Sequence, residues 1–313
     1  MGSGSWSRDS FRSYTSVTKN LDLDYDGSVK YRKGTTSQDI YRTTRINEAL
    51  KPMNVMRECV DTDEHPNTIP VILALDVTGS MGEAAVEVSR KIGTLMEDLF
   101  KRFKDIEVMI MGIGDLAYDR SPIQISQFES DIRIAEQLDK LYFEYGGGGN
   151  NYESYTAAWY MGSRHTKLDC WNRGKKGVII TLGDEAINPY LPSFELRGVT
   201  GDDMQDSINT DTLYEEAKEK FDIYHILVNH NCASEIRNER NISEWKEKIG
   251  ENNVVISTVN GITQNITNFI EMHIQNEAQI EEPVVISEDN TENTEEATEE
   301  TVFDTIFNNE ITW

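Results

Sequence analysis

Three short stretches of the chain carry residues whose types and spacing suit the capture of a cation. The first is Asp76-Val77-Thr78-Gly79-Ser80, directly after the apolar run at residues 69–75. One carboxylate and two hydroxyls at i, i+2 and i+4 of a tight loop offer hard oxygen ligands, the kind that Mg²⁺ and Mn²⁺ prefer. The second is the glycine run at 146–149 followed by Asn150, Asn151, Tyr152 and Glu153; glycines let a backbone turn tightly and approach a ligand closely. The third is Gly183-Asp184-Glu185, after the apolar run at 178–182. Each stretch has a plainer reading when taken alone. An aspartate after a strand commonly caps a turn or helix, and a glycine run is commonly a flexible loop. The glycines match neither the phosphate loop GxxxxGK followed by Ser or Thr nor GxGxxG before a helix.

The elements that must position these residues follow from apolar patterning. Residues 69–75, 108–113, 178–182, 223–228 and 254–256 are short apolar runs rich in branched side chains. Without polar alternation, such runs suit strands covered on both faces, as in a mostly parallel sheet. Ala85, Val88, Ile92, Leu95, Leu99 and Phe103 keep a helical period between the first two, and Ile262, Ile266, Phe269 and Ile270 form a second such stripe. Ile123 and Ile125 supply a short edge strand before a helix over 134–142. The alternation predicts a doubly wound α/β fold, with a mostly parallel sheet and helices on both faces. In such sheets ligands sit beyond the carboxyl ends of the strands, where strand order reverses, and all three stretches fall at that edge.

Flanking this core zone, residues 68–275, are a polar N-terminal arm (1–67), read as wrapping the core or staying loose, and an acidic tail (276–313). From residue 277 onward the tail has 12 Asp/Glu and no Lys or Arg, a composition expected to stay disordered. Its apolar tip, with Val302, Phe303, Ile306 and Phe307 at helical spacing, reads as a docking peptide for another protein or subunit, the alternative being that it folds back onto its own domain.

Asp76-x-Thr78-x-Ser80 resembles the DxSxS loop of von Willebrand factor A (VWA) domains, with Thr for the first Ser. The stretch from the glycine run through Asn150 to Glu153 resembles the second loop of bacterial and phage-type members, and Asp184 matches the third-loop aspartate. The resemblance covers roughly residues 68–275 and implies a Rossmann-like VWA fold with a metal-ion-dependent adhesion site (MIDAS). The implied ligands are Asp76, Thr78, Ser80, Asn150 and Asp184. Asn150 stands where the family often has Thr or Asp, so Asn151 or Glu153 is an alternative second-loop ligand. The implied ion is Mg²⁺ or Mn²⁺ rather than Ca²⁺, with one coordination position left for a carboxylate of a protein partner. The resemblance also suggests an AAA-type ATPase as partner in an assembly or remodelling complex, and it supplies no catalytic residue.

A formal net charge of −25 over 313 residues argues against nucleic acid or an anionic membrane as partner. No secretory signal is visible, and three cysteines without a CxxC pair suit a reducing compartment; the expected location is the cytoplasm. Two other functions compete. One is a metal-dependent phosphatase or phosphotransferase with Asp76 as nucleophile. Such enzymes of the haloacid-dehalogenase kind carry DxD at this strand end, and Thr78 cannot serve as acid or base at neutral pH. The other is a structural component with a vestigial site. Among remaining candidates, Asp115, at the end of the second strand, reads as a solvated loop acid in preference to a residue lining the same edge, Cys170 as core, His225 and His230 as structural or surface, and Tyr152, Tyr155 and Trp159 as helix core.

Overall fold

A computed structural model of the chain describes residues 4–145, 150, 152–229 and 235–281. Six strands form the central sheet: β1 (Ile69–Asp76), β2 (Ile106–Ile113), β3 (Ile123–Ile125), β4 (Gly177–Gly183), β5 (Phe221–Val228) and β6 (Val254–Ser257). Their order is β6-β5-β4-β1-β2-β3, and every pairing is parallel except that of β2 with the edge strand β3. The five parallel strands are the five apolar runs, lengthened by one or two residues.

Helices flanking the sheet among the described residues include α1 (Gly82–Arg102), α2 (Arg133–Leu138), α3 (Ala157–Arg164), α4 (Thr210–Lys218), α5 (Glu235–Ile249) and α6 (Ile262–Glu281). Alternate residues of β1 point to opposite faces, as a strand's two-residue period requires. Val71, Leu73 and Leu75 join one apolar cluster with Val88, Ile92 and Leu99 of α1 and Ile262, Ile266 and Ile270 of α6. Ile72 and Ala74 join the other, with Trp159 of α3, Leu213 of α4 and Trp245 of α5. Helices therefore cover both faces of a mostly parallel α/β sheet, as the patterning predicts. The helix expected over 134–142 stops earlier, at Leu138, because the backbone of Tyr142 is drawn to Gln124 beside β3: Tyr142 N donates to Gln124 Oε1 at 2.9 Å, and Gln124 Nε2 donates to Tyr142 O at 2.7 Å.

The arm contributes to the first cluster. Trp6, Phe11, Val29, Tyr41 and Leu50 are buried in it, although they are too scattered in sequence to show a period. Phe11 sits over Gly93 of α1, where an added Cβ would lie 2.1 Å from a ring carbon. Gly93→Ala should therefore lift the helix Arg8–Tyr14 off α1 and cost about 1–3 kcal/mol, the usual penalty of overpacking. Urea unfolding of wild type and variant measures it, and an unchanged midpoint would mean that the arm is not seated there. Among the acidic residues, Glu277 and Glu281 continue helix α6; residues 282–313, including the apolar tip, lie outside the described residues.

Candidate metal centre

Asp76 closes β1, the central strand, and its side chain is buried. The next five residues turn into α1, and this turn carries Thr78 and Ser80. Gly79 permits the turn's close approach to a neighbour, since a Cβ there would lie 3.3 Å from Tyr145 O. Asp184 follows β4, the strand paired with β1. The first and third loops thus meet at the carboxyl edge, at the switch point of the strand order.

Hydrogen bonds join four of the expected ligands into two pairs that meet at their hydroxyls. Thr78 Oγ1 donates to Asp76 Oδ1 at 2.5 Å, and Ser80 Oγ donates to Asp184 Oδ1 at 3.0 Å. The two hydroxyl oxygens lie 3.3 Å apart. A hydroxyl has a single proton, and here each proton is committed to a carboxylate. Lone pairs of both oxygens are consequently left for the space between them, which is the electronic arrangement a cation requires.

Asn150 is half-buried, and among the described residues no hydrogen bond links it to these four. Asn151 and the glycines 146–149 lie outside the described residues. Glu153 is placed more tellingly. It is buried, and its Oε2 has no hydrogen-bond partner among the described residues. Tyr152 and Glu153 pair in parallel with Ala186 and Ile187, which ties the second loop to the third. Burial first, and then the negative charges of Asp76, Asp119, Asp115 and Asp184, push the Glu153 carboxyl up to about 10. An orphaned buried carboxylate oxygen beside two further acids fits a site that completes itself with a divalent ion.

Asp76 shows the same tension. Burial and the charge of Asp184 push its carboxyl up to about 7. Three hydrogen bonds oppose that shift: those from Thr78 N at 2.9 Å and Thr78 Oγ1, and one from Tyr155 OH to Oδ2 at 2.7 Å. Tyr155 also accepts from Glu185 N at 3.2 Å, so one phenol braces the first loop against the third. Expected as helix core, Tyr155 instead precedes α3 and is a positioning residue. Gly183 makes room for it, because a Cβ there would lie 2.0 Å from the phenol oxygen.

Helix α5 backs the third loop. Trp245 Nε1 donates to Glu185 O at 3.2 Å, Asn241 Nδ2 donates to Asp184 O at 3.4 Å, and Arg237 pairs with Glu185. The Trp245 ring stacks on His225, with centroids 3.7 Å apart and planes within 6°. Burial holds the His225 imidazole well below its ordinary range, so it is a neutral part of the core wall, consistent with its structural reading. Cys170 is likewise buried.

Asp115 corrects its reading as a solvated acid. It is only 2% exposed, with Oδ2 buried and unpartnered among the described residues. Its loop is drawn under the second loop by Leu116 N donating to Ser154 Oγ at 3.0 Å and Ser154 N donating to Gly114 O at 3.2 Å.

No family model matches the chain, and no curated protein matches it. Among solved structures, the chain is similar to the pilus adhesin SpaC from Lactobacillus rhamnosus GG in its open conformation (13% identity, TM-score 0.47). That match covers 72% of this chain and 31% of SpaC, so the chain spans about a third of the adhesin's length. It is also similar to the vWF domain of the type V pili tip protein Mfa5 from Porphyromonas gingivalis (10% identity, TM-score 0.43), over 70% of this chain and 98% of that domain. A third similarity is to proximal thread matrix protein 1 from the mussel byssus (13% identity, TM-score 0.39), covering 67% of this chain and 46% of that one. Among the described residues no helix is long and apolar enough to cross a membrane.

Proposed function

We propose that the chain is a protein-binding module of the MIDAS type, holding one divalent ion, Mg²⁺ or Mn²⁺, through Asp76, Thr78, Ser80 and Asp184. The observation that carries this reading is the pair of hydroxyls 3.3 Å apart, each donating to a carboxylate, an arrangement that neutralises no charge and leaves oxygen lone pairs unused. Glu153, rather than Asn150, is the second-loop acid that the orphaned oxygen favours. When bound, the ion supplies a Lewis-acidic position that a partner's carboxylate can fill. The chain's own residues hold and orient: Tyr155 fixes Asp76, and α5 fixes the loop that carries Asp184.

A hydrolase reading fits less well. Both oxygens of Asp76 are engaged, Oδ1 by Thr78 and Oδ2 by Tyr155. This suits a ligand held still better than a nucleophile that must advance on phosphorus. Thr78 supplies no second carboxylate for acid–base work. An assembly or remodelling complex in the cytoplasm, with an AAA-type ATPase as partner, remains the setting that the sequence resemblance suggests.

The test is Thr78→Ala combined with Ser80→Ala. Capture of the partner in Mg²⁺, compared with capture in chelator, should show loss with the double variant equal to loss with chelator. The circular dichroism spectrum should stay native. Full partner retention by the folded double variant would refute the metal-bridged mechanism.

A further inference from the structure

A separate group of ligand atoms lies at the opposite edge of the sheet. Asp222 is the second residue of β5 and so sits at the amino end of the parallel strands, whereas Asp76 closes the carboxyl end of β1. His273 and Glu277 are four residues apart on α6, on one face of that helix. One ligand atom from each of Asp222, His273 and Glu277 lies within 4.8 Å of the others. His273 is buried, and its Nδ1 is 2.8 Å from Asp222 Oδ2.

We propose that Asp222, His273 and Glu277 form a second metal site for a borderline first-row ion such as Zn²⁺. Imidazole nitrogen with two carboxylates is a donor set that Zn²⁺ accepts and that Mg²⁺, which favours oxygen alone, does not seek. The separations suit it. First-row ions bind such atoms at about 2.0–2.2 Å, which places neighbouring ligand atoms of a tetrahedral ion about 3.3–3.6 Å apart. The 2.8 Å contact between His273 and Asp222 needs to open by only about half an ångström for one ion to bridge it once the shared proton leaves. An open cavity of about 330 Å³, lined in part by Asp222, Tyr214, Asn253 and Asn276, gives access to the group on its Asp222 side.

One group competes for the position. Lys176 Nζ lies 3.9 Å from Asp222 Oδ1 while donating to Lys218 O at 2.6 Å, and Lys176 N donates to Glu277 Oε1 at 3.5 Å. In the metal-free chain this ammonium partly neutralises Asp222, and an arriving cation must work against it. The site is thus built for moderate affinity, and removing Lys176 should strengthen it.

The experiment is calorimetric titration of the full chain with Zn²⁺ in excess Mg²⁺, repeated with Co²⁺ and read by its visible absorption. One ion per chain is expected, with affinity unchanged in Asp76→Asn, which lies at the other edge. His273→Gln should weaken it on the order of 100-fold, because loss of even an outer-shell partner costs about 10–100-fold. Glu277→Gln, a mild change on a half-buried helix position, should weaken it about tenfold or more on the same ground. Lys176→Met should tighten it severalfold. Absence of Zn²⁺ binding, or equal affinity in wild type, His273→Gln and Glu277→Gln, would overturn the site.

Discussion

Asp76→Asn is expected to lose Mg²⁺ binding while leaving the metal-free protein at least as stable as wild type. The two halves of this result separate a ligand from a structural cap. The amide keeps the shape of the side chain: its oxygen can still accept from Thr78 N and Thr78 Oγ1, and its nitrogen, in place of Oδ2, can donate to the Tyr155 phenol oxygen, so the turn into α1 has no reason to open. What disappears is a buried negative charge facing Asp184 and Glu153, a charge whose burial without a counter-ion is unfavourable. Calorimetry should show Mg²⁺ affinity reduced at least about 100-fold, more than the loss of an outer-shell partner would give. If the variant kept wild-type affinity, or melted far below wild type in chelator, Asp76 would be a cap and the metal reading would fail.

The second large effect is the pH dependence of stabilisation by Mg²⁺. Asp76 moves from 3.8 in the unfolded chain to about 7, and Glu153 from 4.5 to about 10. Both shifts are upward, so between these values the folded chain holds protons that the unfolded chain has released. Stability that rests on those protons is fully present below about pH 4 and is lost as pH rises, through about 7 for Asp76 and onward for Glu153. A cation replaces the protons over the same window. The Mg²⁺-induced rise in melting temperature should accordingly be small near about pH 5 and large near about pH 8. At a free Mg²⁺ concentration about 100-fold above its Kd the gain is about 2.7 kcal/mol, roughly 5–10 °C for a domain of this size. Scanning calorimetry at both pH values decides it; an increment that is flat or shrinks as pH rises would show that these carboxyls do not face the ion.

The parts of the fold that were legible before the structure share a physical cause. Strands β1, β2, β4 and β5 are covered on both faces, so their apolar runs stand out without alternation; the edge strand β6 is only partly covered, with Ile256 exposed, and the stripes of α1 and α6 follow one buried face each. The arm was harder to read because Trp6, Phe11, Val29, Tyr41 and Leu50 are single anchors separated by polar loop, with no period to betray them. In the candidate site, Asp76, Thr78, Ser80 and Asp184 were legible because their roles depend on local spacing and on the strand ends before them. Tyr155 was not, since its aromatic ring predicts core and only its hydroxyl reaches Asp76. Asp115 was misjudged because its burial depends on Ser154, from elsewhere in the chain, which bonds to the neighbours Gly114 and Leu116. The Asp222–His273–Glu277 group shows in sequence only as His and Glu four residues apart; its third member is 51 positions from His273.

The strand order also bears on how the protein is made. Strands β1, β2 and β3 occupy one side of the sheet and come from the first 125 residues, while β4, β5 and β6 add outward on the other side in the order of synthesis. Each later strand can thus dock on an edge that already exists as the chain leaves the ribosome. Asp76 and Asp184 lie on either side of the seam where the first of these additions occurs, between β1 and β4. Their mutual repulsion arises at that step and at no earlier one. A cation between them would act as a clasp joining two halves that are synthesised at different times, so that ion supply and completion of the sheet become linked events.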